Sequence, residues 1–320
     1  MLAILAGPAL AQDAPPQPAP LPAFRAPVVS EDPASDPGPA TPATAPATDP
    51  QPAAAAPAPK PPVVTGPPQP VTLTALATDG GEPIQQGVMW RVFSTKPDST
   101  GQIVLAAKSN EAVAQLELAP GDYVVDVAYG RAQASDNLTV AAGKNTKSMV
   151  LDAGGLRLSA AILGDVPIPI NLLRFDIFTP GQSDADRTVV AQNLAANDIV
   201  MLNAGTYHVV SYFGNVNAVV RADLKVEAGK LTDATLYHRA SQVSFKLVTE
   251  TGGEAIADVD WTVKSADGSE VFTNTGTFPS TVLEEGDYTV LAKRGDKVFN
   301  RDFQVQAGQP KEVEVLTTVY

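Results

Sequence analysis

The sequence has no cysteine and only two histidines among its 320 residues. Without cysteine there is no disulfide to cross-link the fold, no thiolate nucleophile and no cysteine-ligated metal. Gly-x-Ser-x-Gly, His-Glu-x-x-His, Walker and Gly-x-Gly-x-x-Gly patterns do not occur either. We therefore expect no catalytic residues, no cofactor and no metal site, and we interpret the chain as a non-enzymatic protein.

Acidic pairs are the nearest approach to a reactive cluster. Two Asp-x-Asp pairs occur, Asp184 with Asp186 and Asp258 with Asp260, but neither has the glycine and glutamate of a calcium loop. We interpret them as solvated carboxylates. Glycosidases need only two carboxylates, yet they also need a cleft, which small domains with short loops seldom form. We expect His208 to be exposed or to lie between sheets, and His238 to lie near a module boundary.

Positive charge is scarce, with 22 Lys and Arg against 35 Asp and Glu and a net charge of −13. Residues 71–320 hold 20 of the basic and 30 of the acidic side chains. This balance argues against nucleic acid and anionic membrane surfaces as partners, because both are bound through basic patches. A protein partner is compatible with it. No stretch is apolar and long enough to predict a transmembrane helix.

Proline is abundant in one region only, since residues 1–70 hold 21 of the 29 prolines. Such a segment buries too little apolar surface to offset the entropy of ordering, so we predict a disordered Pro/Ala-rich linker over residues 12–69. Residues 1–11 end in Ala9-Leu-Ala11, the small-x-small pattern of signal cleavage. They lack the usual positive start, so we predict a truncated signal peptide, with an ordinary apolar N-terminus as the alternative. The predicted location is the periplasm, as an exported soluble protein.

The remainder of the chain is repetitive. The phrase Leu-x-x-Gly-x-Tyr occurs three times, with its glycines 84 and then 81 residues apart, at Leu118–Tyr123, Leu202–Tyr207 and Leu283–Tyr288. A repeat of this length corresponds to one small domain. We predict three tandem modules at residues 70–153, 154–240 and 241–320.

The hydrophobic pattern after each phrase has a period of two. Tyr123, Val125 and Val127 alternate with more polar neighbours, which is typical of a strand with one buried face. The best helical candidate, residues 102–118, is better explained by two short strands around a polar turn. Residues 194–199 fit a strand or a helix equally well. The predicted fold class is all-β, with three tandem Greek-key β-sandwich modules.

The spacing of the phrase resembles the tyrosine corner of Greek-key sandwiches, in which a tyrosine hydroxyl bonds to backbone a few residues upstream. We assign this structural role to Tyr123, Tyr207 and Tyr288, together with Gly121, Gly205 and Gly286. Each module also has one aromatic residue on an earlier strand. These are Trp90, Phe175 and Trp261, and their equivalent positions favour a core role over a platform for stacking sugars.

Three further short motifs recur in each module. They are a strand-like opening, a glycine-containing turn such as Asp79–Ile84, and a closing Val-x-Ala-Gly at Val140–Gly143, Val226–Gly229 and Val305–Gly308. This layout, over residues 70–320, resembles the transthyretin-like or carboxypeptidase-regulatory-like β-sandwich modules of bacterial envelope proteins. Immunoglobulin-like sandwiches share much of the pattern. The resemblance implies a structural or recognition module and carries no catalytic residue with it.

Two functions remain open at this point. The first is an envelope scaffold or adaptor that binds another envelope protein through β-sandwich surfaces, with exposed sheet edges as the docking surface. The second is a carbohydrate- or peptidoglycan-binding protein, which would need exposed aromatic side chains such as Trp90 and Trp261. The sequence does not determine the oligomeric state.

Overall fold

The computed structural model describes residues 66–97 and 101–317. The predicted signal peptide, and the predicted linker up to residue 65, lie outside these described residues. Within them the chain forms 22 β-strands and two short 3₁₀ turns, and it has no α-helix. The predicted all-β class is confirmed.

Module 1 consists of the first seven strands, which form two sheets. Their bounds are β1 Gln69–Leu76, β2 Val88–Pro97, β3 Ile103–Ser109, β4 Val113–Leu118, β5 Gly121–Tyr129, β6 Ala132–Val140 and β7 Asn145–Val150. One sheet has the order β4-β1-β7 and the other β3-β2-β5-β6. Strand β1 pairs antiparallel with β4 and parallel with β7. The chain passes back and forth between the sheets, as in Greek-key sandwiches.

Module 2 repeats this order with eight strands. Their bounds are β8 Ala153–Ile162, β9 Val166–Pro167, β10 Leu173–Phe178, β11 Val189–Leu194, β12 Ile199–Asn203, β13 Gly205–Phe213, β14 Val219–Val226 and β15 Leu231–His238. The sheets are β12-β8-β15, with the short β9 beside β8, and β11-β10-β13-β14. The 3₁₀ turns are Ile170–Leu172 and Asp184–Asp186. The second of these lies in the connection 179–188, which joins β10 to β11.

Module 3 has the same plan as module 1. Its strands are β16 Ala240–Val248, β17 Asp260–Ser265, β18 Glu270–Thr275, β19 Ser280–Glu284, β20 Gly286–Arg294, β21 Lys297–Val305 and β22 Lys311–Leu316. They form sheets β19-β16-β22 and β18-β17-β20-β21. The connection from β17 to β18 is residues 266–269, much shorter than its counterpart in module 2.

Each module encloses its own hydrophobic core between its two sheets. In β5 the alternating residues Tyr123, Val125 and Val127 face inward, as the period-two pattern predicts. Full burial of one such aliphatic side chain stabilises the fold by about 1.5–3 kcal/mol. A module of this size has a small core, so contacts with neighbouring modules contribute to its stability.

The ambiguous segments of the sequence form strands. Residues 102–118 form β3 and β4 around a turn at 110–112, so the interpretation as two short strands is correct. Residues 194–199 contain the end of β11, a turn and the start of β12. The helical propensity of the alanines in both segments is overridden by strand pairing and burial.

Candidate functional site

The three repeated tyrosines make the same hydrogen bond. The hydroxyl of Tyr123 donates to the carbonyl of Ala119 at 2.8 Å, four residues upstream. Tyr207 donates to Asn203, and Tyr288 to Glu284, each at 2.9 Å. Burial raises the pKa of all three phenols. These hydroxyls are therefore held neutral and occupied inside the modules, which is unsuited to acid or nucleophile chemistry.

The stabilising role of these tyrosines stays a prediction. We expect Tyr123→Phe to lower the free energy of unfolding by about 1 kcal/mol, because one hydrogen bond is lost and a carbonyl loses its partner. Tyr288→Phe should cost more, since its hydroxyl also accepts a bond from Asn217 Nδ2 at 2.8 Å. Urea unfolding of each single variant measures the difference. Equal losses at both positions would argue against the second bond.

The aromatic residues predicted for the cores are enclosed. Trp90 and Phe175 have no exposed surface, and Trp261 is 1% exposed. Both indole N–H groups donate to backbone carbonyls, Trp90 to Glu111 at 3.0 Å and Trp261 to Gly276 at 2.8 Å. No indole face is open to a sugar ring. The glycan-binding alternative therefore loses the two residues on which it rested.

His238 makes a buried pair with Ser211. The serine hydroxyl lies 2.8 Å from His238 Nε2, and both residues are almost completely buried within module 2. Burial lowers the pKa of His238 to about 4. A serine beside a histidine base is half of a nucleophilic triad, but such a nucleophile must reach substrate. Because this pair is closed to solvent, we interpret it as a satisfied polar contact in the core.

His208 differs from the expectation of an exposed or inter-sheet residue. It lies on the outer face of the β11-β10-β13-β14 sheet, but it is buried there beside the connection 179–188. Its Nδ1 is 2.7 Å from Asp223 Oδ1 of the neighbouring strand. The alternating sequence pattern of β13 correctly predicted that the His208 side chain faces away from the module core. It gave no signal for the connection that covers it, because that connection follows no periodic pattern.

Module 1 contacts module 2 through the turn between β5 and β6. Gly130 in this turn has φ +62°, and a Cβ added to it would lie 2.9 Å from Met201 Cβ in β12. The N–H of Arg131 donates to the carbonyl of Met201 at 2.9 Å. The Asn203 amide accepts from the N–H of Gln133 at 3.1 Å and donates to its carbonyl at 3.0 Å. The turn is thus held against β12 by both packing and hydrogen bonds.

The same contact recurs between modules 2 and 3. A Cβ added to Gly214, in the turn between β13 and β14, would lie 2.8 Å from Val282 Cβ in β19. Asn217 accepts from the N–H of Glu284 at 3.1 Å and donates to Tyr288 Oη at 2.8 Å. In the first junction the bonding asparagine, Asn203, lies on β12 of module 2. In the second junction it is Asn217, in the turn between β13 and β14 of module 2. Module 2 therefore supplies both asparagines.

A second repeated contact fixes each junction. The methyl of Thr78 in module 1 lies 2.9 Å from where a Cβ of Gly229 in module 2 would be. Ile162 of module 2 lies 3.4 Å from the corresponding position of Gly308 in module 3. Two separate contacts on each pair of modules restrict both tilt and rotation. The modules are thus packed on one another, and the joints between them are more than loose linkers.

Two positions of the repeat that correspond to junction residues, but that contact no other module among the described residues, have polar surroundings. Gly295 is the third glycine of the series, and nothing lies within 4 Å of its Cβ position. The residue before it is the exposed Arg294, where the first two turns have Tyr129 and Phe213. In module 1 the counterpart of Met201 is the exposed Glu117.

Grooves follow the two junctions. The first, of about 460 Å³, is lined mainly by apolar residues such as Ile84, Tyr129 and Met201. The second, of about 360 Å³, includes Phe272 and Val282. Neither groove is lined by a histidine or by two carboxylates. Among the described residues no cluster of three or more potential metal ligands occurs.

An apolar strand edge is exposed in module 1. Among residues 66–97 and 101–317, strand β3 pairs only with β2 and is the edge of its sheet. Three consecutive residues on it are exposed, Ile103 at 70%, Val104 at 41% and Leu105 at 46%. The sheet of module 3 that corresponds to this one, β18-β17-β20-β21, has β21 as an edge strand, with the more polar sequence KVFNRDFQV. Natural proteins usually protect sheet edges with charge, and these three residues of β3 carry none.

The third module matches a family model, over residues 242–317, described as the Rhizobiales growth-associated tandem repeat domain. No curated protein matches the chain. Across residues 66–97 and 101–317, no helix has the length and apolar character needed to cross a membrane.

Solved structures of bacterial proteins show weak similarity. The TIE protein of Bacillus anthracis is 15% identical with a TM-score of 0.24, covering 78% of this chain and 51% of that one, so the chain spans about half its length. GBS52, the minor pilin of Streptococcus agalactiae, is 13% identical with a TM-score of 0.30, covering 53% and 95%. BcpA, the major pilin subunit of Bacillus cereus, is 10% identical with a TM-score of 0.22, covering 78% and 100%. Similarity at these TM-scores carries no argument about function.

Proposed function

We propose that this chain is a non-enzymatic exported envelope protein that acts as a scaffold or adaptor for another protein. The observation that carries the proposal is the repeated junction, in which Gly130 and Gly214 receive Met201 and Val282 in the same way. Packed joints of this kind hold three modules in a defined mutual orientation. A defined orientation is what a scaffold needs in order to present a partner at a fixed position, and an enzyme built on one module would have no need of it.

The proposed docking surface is the outer edge of β3. Its unpaired backbone groups would form hydrogen bonds with an extended segment of the partner, which adds a strand to the β3-β2-β5-β6 sheet. Ile103 and Leu105 lie on one face of β3 and Val104 on the other, so side chains of the added strand would meet apolar contacts on both faces. The partner segment is accordingly an apolar extended peptide.

The localisation belongs to the same proposal. The predicted signal peptide would export the chain to the periplasm, and the predicted Pro/Ala-rich linker would act as a spacer ahead of the modules. The family model that matches residues 242–317 is described as growth-associated, and we propose that the scaffold takes part in growth of the cell. Transthyretin-like modules remain the finer fold assignment that we propose for this architecture.

If the partner docks on the edge of β3, charged substitutions on that edge should reduce binding of the partner. We expect the double substitution Ile103→Lys and Leu105→Lys to reduce recovery of the partner about tenfold or more, because charge on an edge opposes strand addition. A photo-crosslinking residue at Val104 in the full-length exported protein gives the measurement. Both side chains are exposed, so the variant should fold normally.

The matched control is Val298→Lys on β21, an apolar residue with comparable exposure on a different edge. It should leave the crosslinked partner unchanged. Co-sedimentation with purified peptidoglycan tests the glycan alternative in parallel. Recovery of no protein at Val104, combined with strong retention on peptidoglycan, would replace the scaffold by the glycan-binding function.

A further inference from the structure

Module 2 has a small cavity on its outer face. It lies between the β11-β10-β13-β14 sheet and the connection 179–188, and it has a volume of about 210 Å³. Two aromatic rings, two guanidinium groups, a carboxylate and an imidazole contribute to its lining, from Phe178, Tyr212, Arg187, Arg221, Asp184 and His208. The volume is below that of pockets for drug-sized ligands, so it admits a single small chemical group.

The connection that closes this cavity is held in one conformation. The N–H of Thr179 donates to the carbonyl of Thr188 at 2.9 Å, and the N–H of Thr188 donates to Thr179 Oγ1 at 2.8 Å. A Cβ on Gly181 would lie 2.9 Å from Arg187 Cγ, so the missing side chain leaves room for the arginine stem. Arg187 Nη1 donates to Asp184 Oδ1 at 2.6 Å. The Arg187 guanidinium is thereby fixed at the cavity.

Two polar atoms of the lining residues are buried without a partner. They are Arg187 Nε and His208 Nε2. The His208 side chain is 9% exposed, and its Nδ1 is engaged by Asp223, which fixes the orientation of the ring. Buried polar atoms in folded proteins almost always have partners, since an unpaired one is destabilising. Two unpaired atoms from residues that line one cavity point to a missing ligand.

We propose that this cavity binds a carboxylate group. Asp184 is already paired with Arg187 Nη1, so Arg187 Nε and the exposed Arg221 are left to donate to an anion. Guanidinium groups pair with carboxylates through charge-assisted hydrogen bonds. A carboxylate only accepts hydrogen bonds. Because His208 Nδ1 already donates to the Asp223 carboxylate, His208 Nε2 also donates to a bound carboxylate only in the doubly protonated ring.

The apolar part of the ligand would contact the two rings. Phe178 and Tyr212 supply a wall against which a short carbon chain packs. The Tyr212 ring is itself held by Arg174, whose guanidinium carbon lies 3.8 Å from the ring centre. The cavity thus selects a short organic acid or an acidic side chain over a bare inorganic ion.

The site is specific to module 2. The positions of His208 and Tyr212 in the repeat correspond to Val124 and Ala128 in module 1, and to Thr289 and Lys293 in module 3. The connection 179–188 has a counterpart of only four residues, 266–269, in module 3. The cavity is therefore an addition to the shared sandwich, placed on a face that the repeat does not use.

Titration with acetate, followed by NMR of arginine Nε–H groups and of backbone amides in 179–188, tests the proposal on the full chain. We expect saturable shifts with acetate and none with acetamide, which has the same shape without the charge. Two further ligands show whether the natural carboxylate belongs to a protein side chain or to a free organic acid. They are blocked N-acetyl-glutamate methylamide and free succinate. Tighter binding of the former identifies an acidic side chain of a protein, and tighter binding of succinate identifies a free acid.

Two variants and a control make the test specific. Arg221→Gln, at an exposed position that should not affect folding, and Arg187→Gln should each weaken acetate binding about tenfold or more. Arg157→Gln, on the opposite sheet of module 2 and paired with Asp233, should leave it unchanged. Shifts that do not saturate, equal affinity in Arg221→Gln and the unmodified chain, or a crystal grown in acetate with only water on the two unpaired atoms would each overturn the proposal.

Discussion

Replacing Gly214 with alanine is expected to lower the free energy of unfolding by about 3 kcal/mol and to loosen the joint between modules 2 and 3. Two causes add at this position. The backbone has φ +73°, which disfavours any side chain with a Cβ. The added Cβ would also lie 2.8 Å from Val282 Cβ and 3.0 Å from its Cγ2, so module 3 must move away.

Gly295→Ala is the matched control for this prediction. Gly295 lies at the equivalent turn of module 3 and has φ +59°, but open space surrounds its Cβ position. Alanine at position 295 should lower the free energy of unfolding only by the cost of a left-handed backbone at a residue with a Cβ, about 1–2 kcal/mol. Urea unfolding measures both losses, and residual dipolar couplings report the orientation of module 3 relative to module 2. Equal losses in the two variants, with unchanged orientation, would show that the junction is not under packing constraint.

Acid is expected to destabilise module 2 through His238. The pKa of this residue is lowered from 6.5 to about 4 by burial, so the folded state binds fewer protons than the unfolded state between these two values. The resulting stability is present in full above pH 6.5 and is lost as the pH falls toward 4. The pKa difference corresponds to about 3 kcal/mol over this window.

His238→Gln should remove this part of the acid sensitivity, because the amide can still bond Ser211 Oγ but does not titrate. The measurement is the free energy of unfolding of both proteins at several pH values between 7 and 4, with amide hydrogen exchange locating the loss in module 2. His208→Gln is the control, because this variant keeps His238 and should therefore keep the acid sensitivity that His238→Gln removes. Parallel stability curves for the unmodified protein and His238→Gln would contradict the assignment.

Local patterns of the sequence anticipated much of the fold. Alternation in Tyr123–Tyr129 gave strand β5, and the polar turn near residue 110 separated β3 from β4. Such elements are predictable because each depends on neighbours within a few residues. Equivalent aromatic positions in the three repeats likewise pointed to Trp90, Phe175 and Trp261 as buried residues.

The junction contacts were beyond such reasoning. Gly130 and Met201 are far apart in the chain, and a glycine in a hairpin turn is already explained by its local φ. Nothing in the phrase distinguishes Gly214, which receives a neighbouring module, from Gly295, which does not. The pair Ser211 and His238 and the cavity at Arg187 depend in the same way on residues that only folding brings together.

The sequence by itself determined that the chain is a repeated all-β protein, because strand periodicity and turn glycines are local properties written once in each repeat. It also determined the lack of cysteine chemistry and the acidic charge. Only the tertiary structure decided which glycines join modules, which edge is left apolar and which side chains line a cavity. These features arise where one repeat meets another or departs from it, and their energies depend on distances that no local pattern encodes.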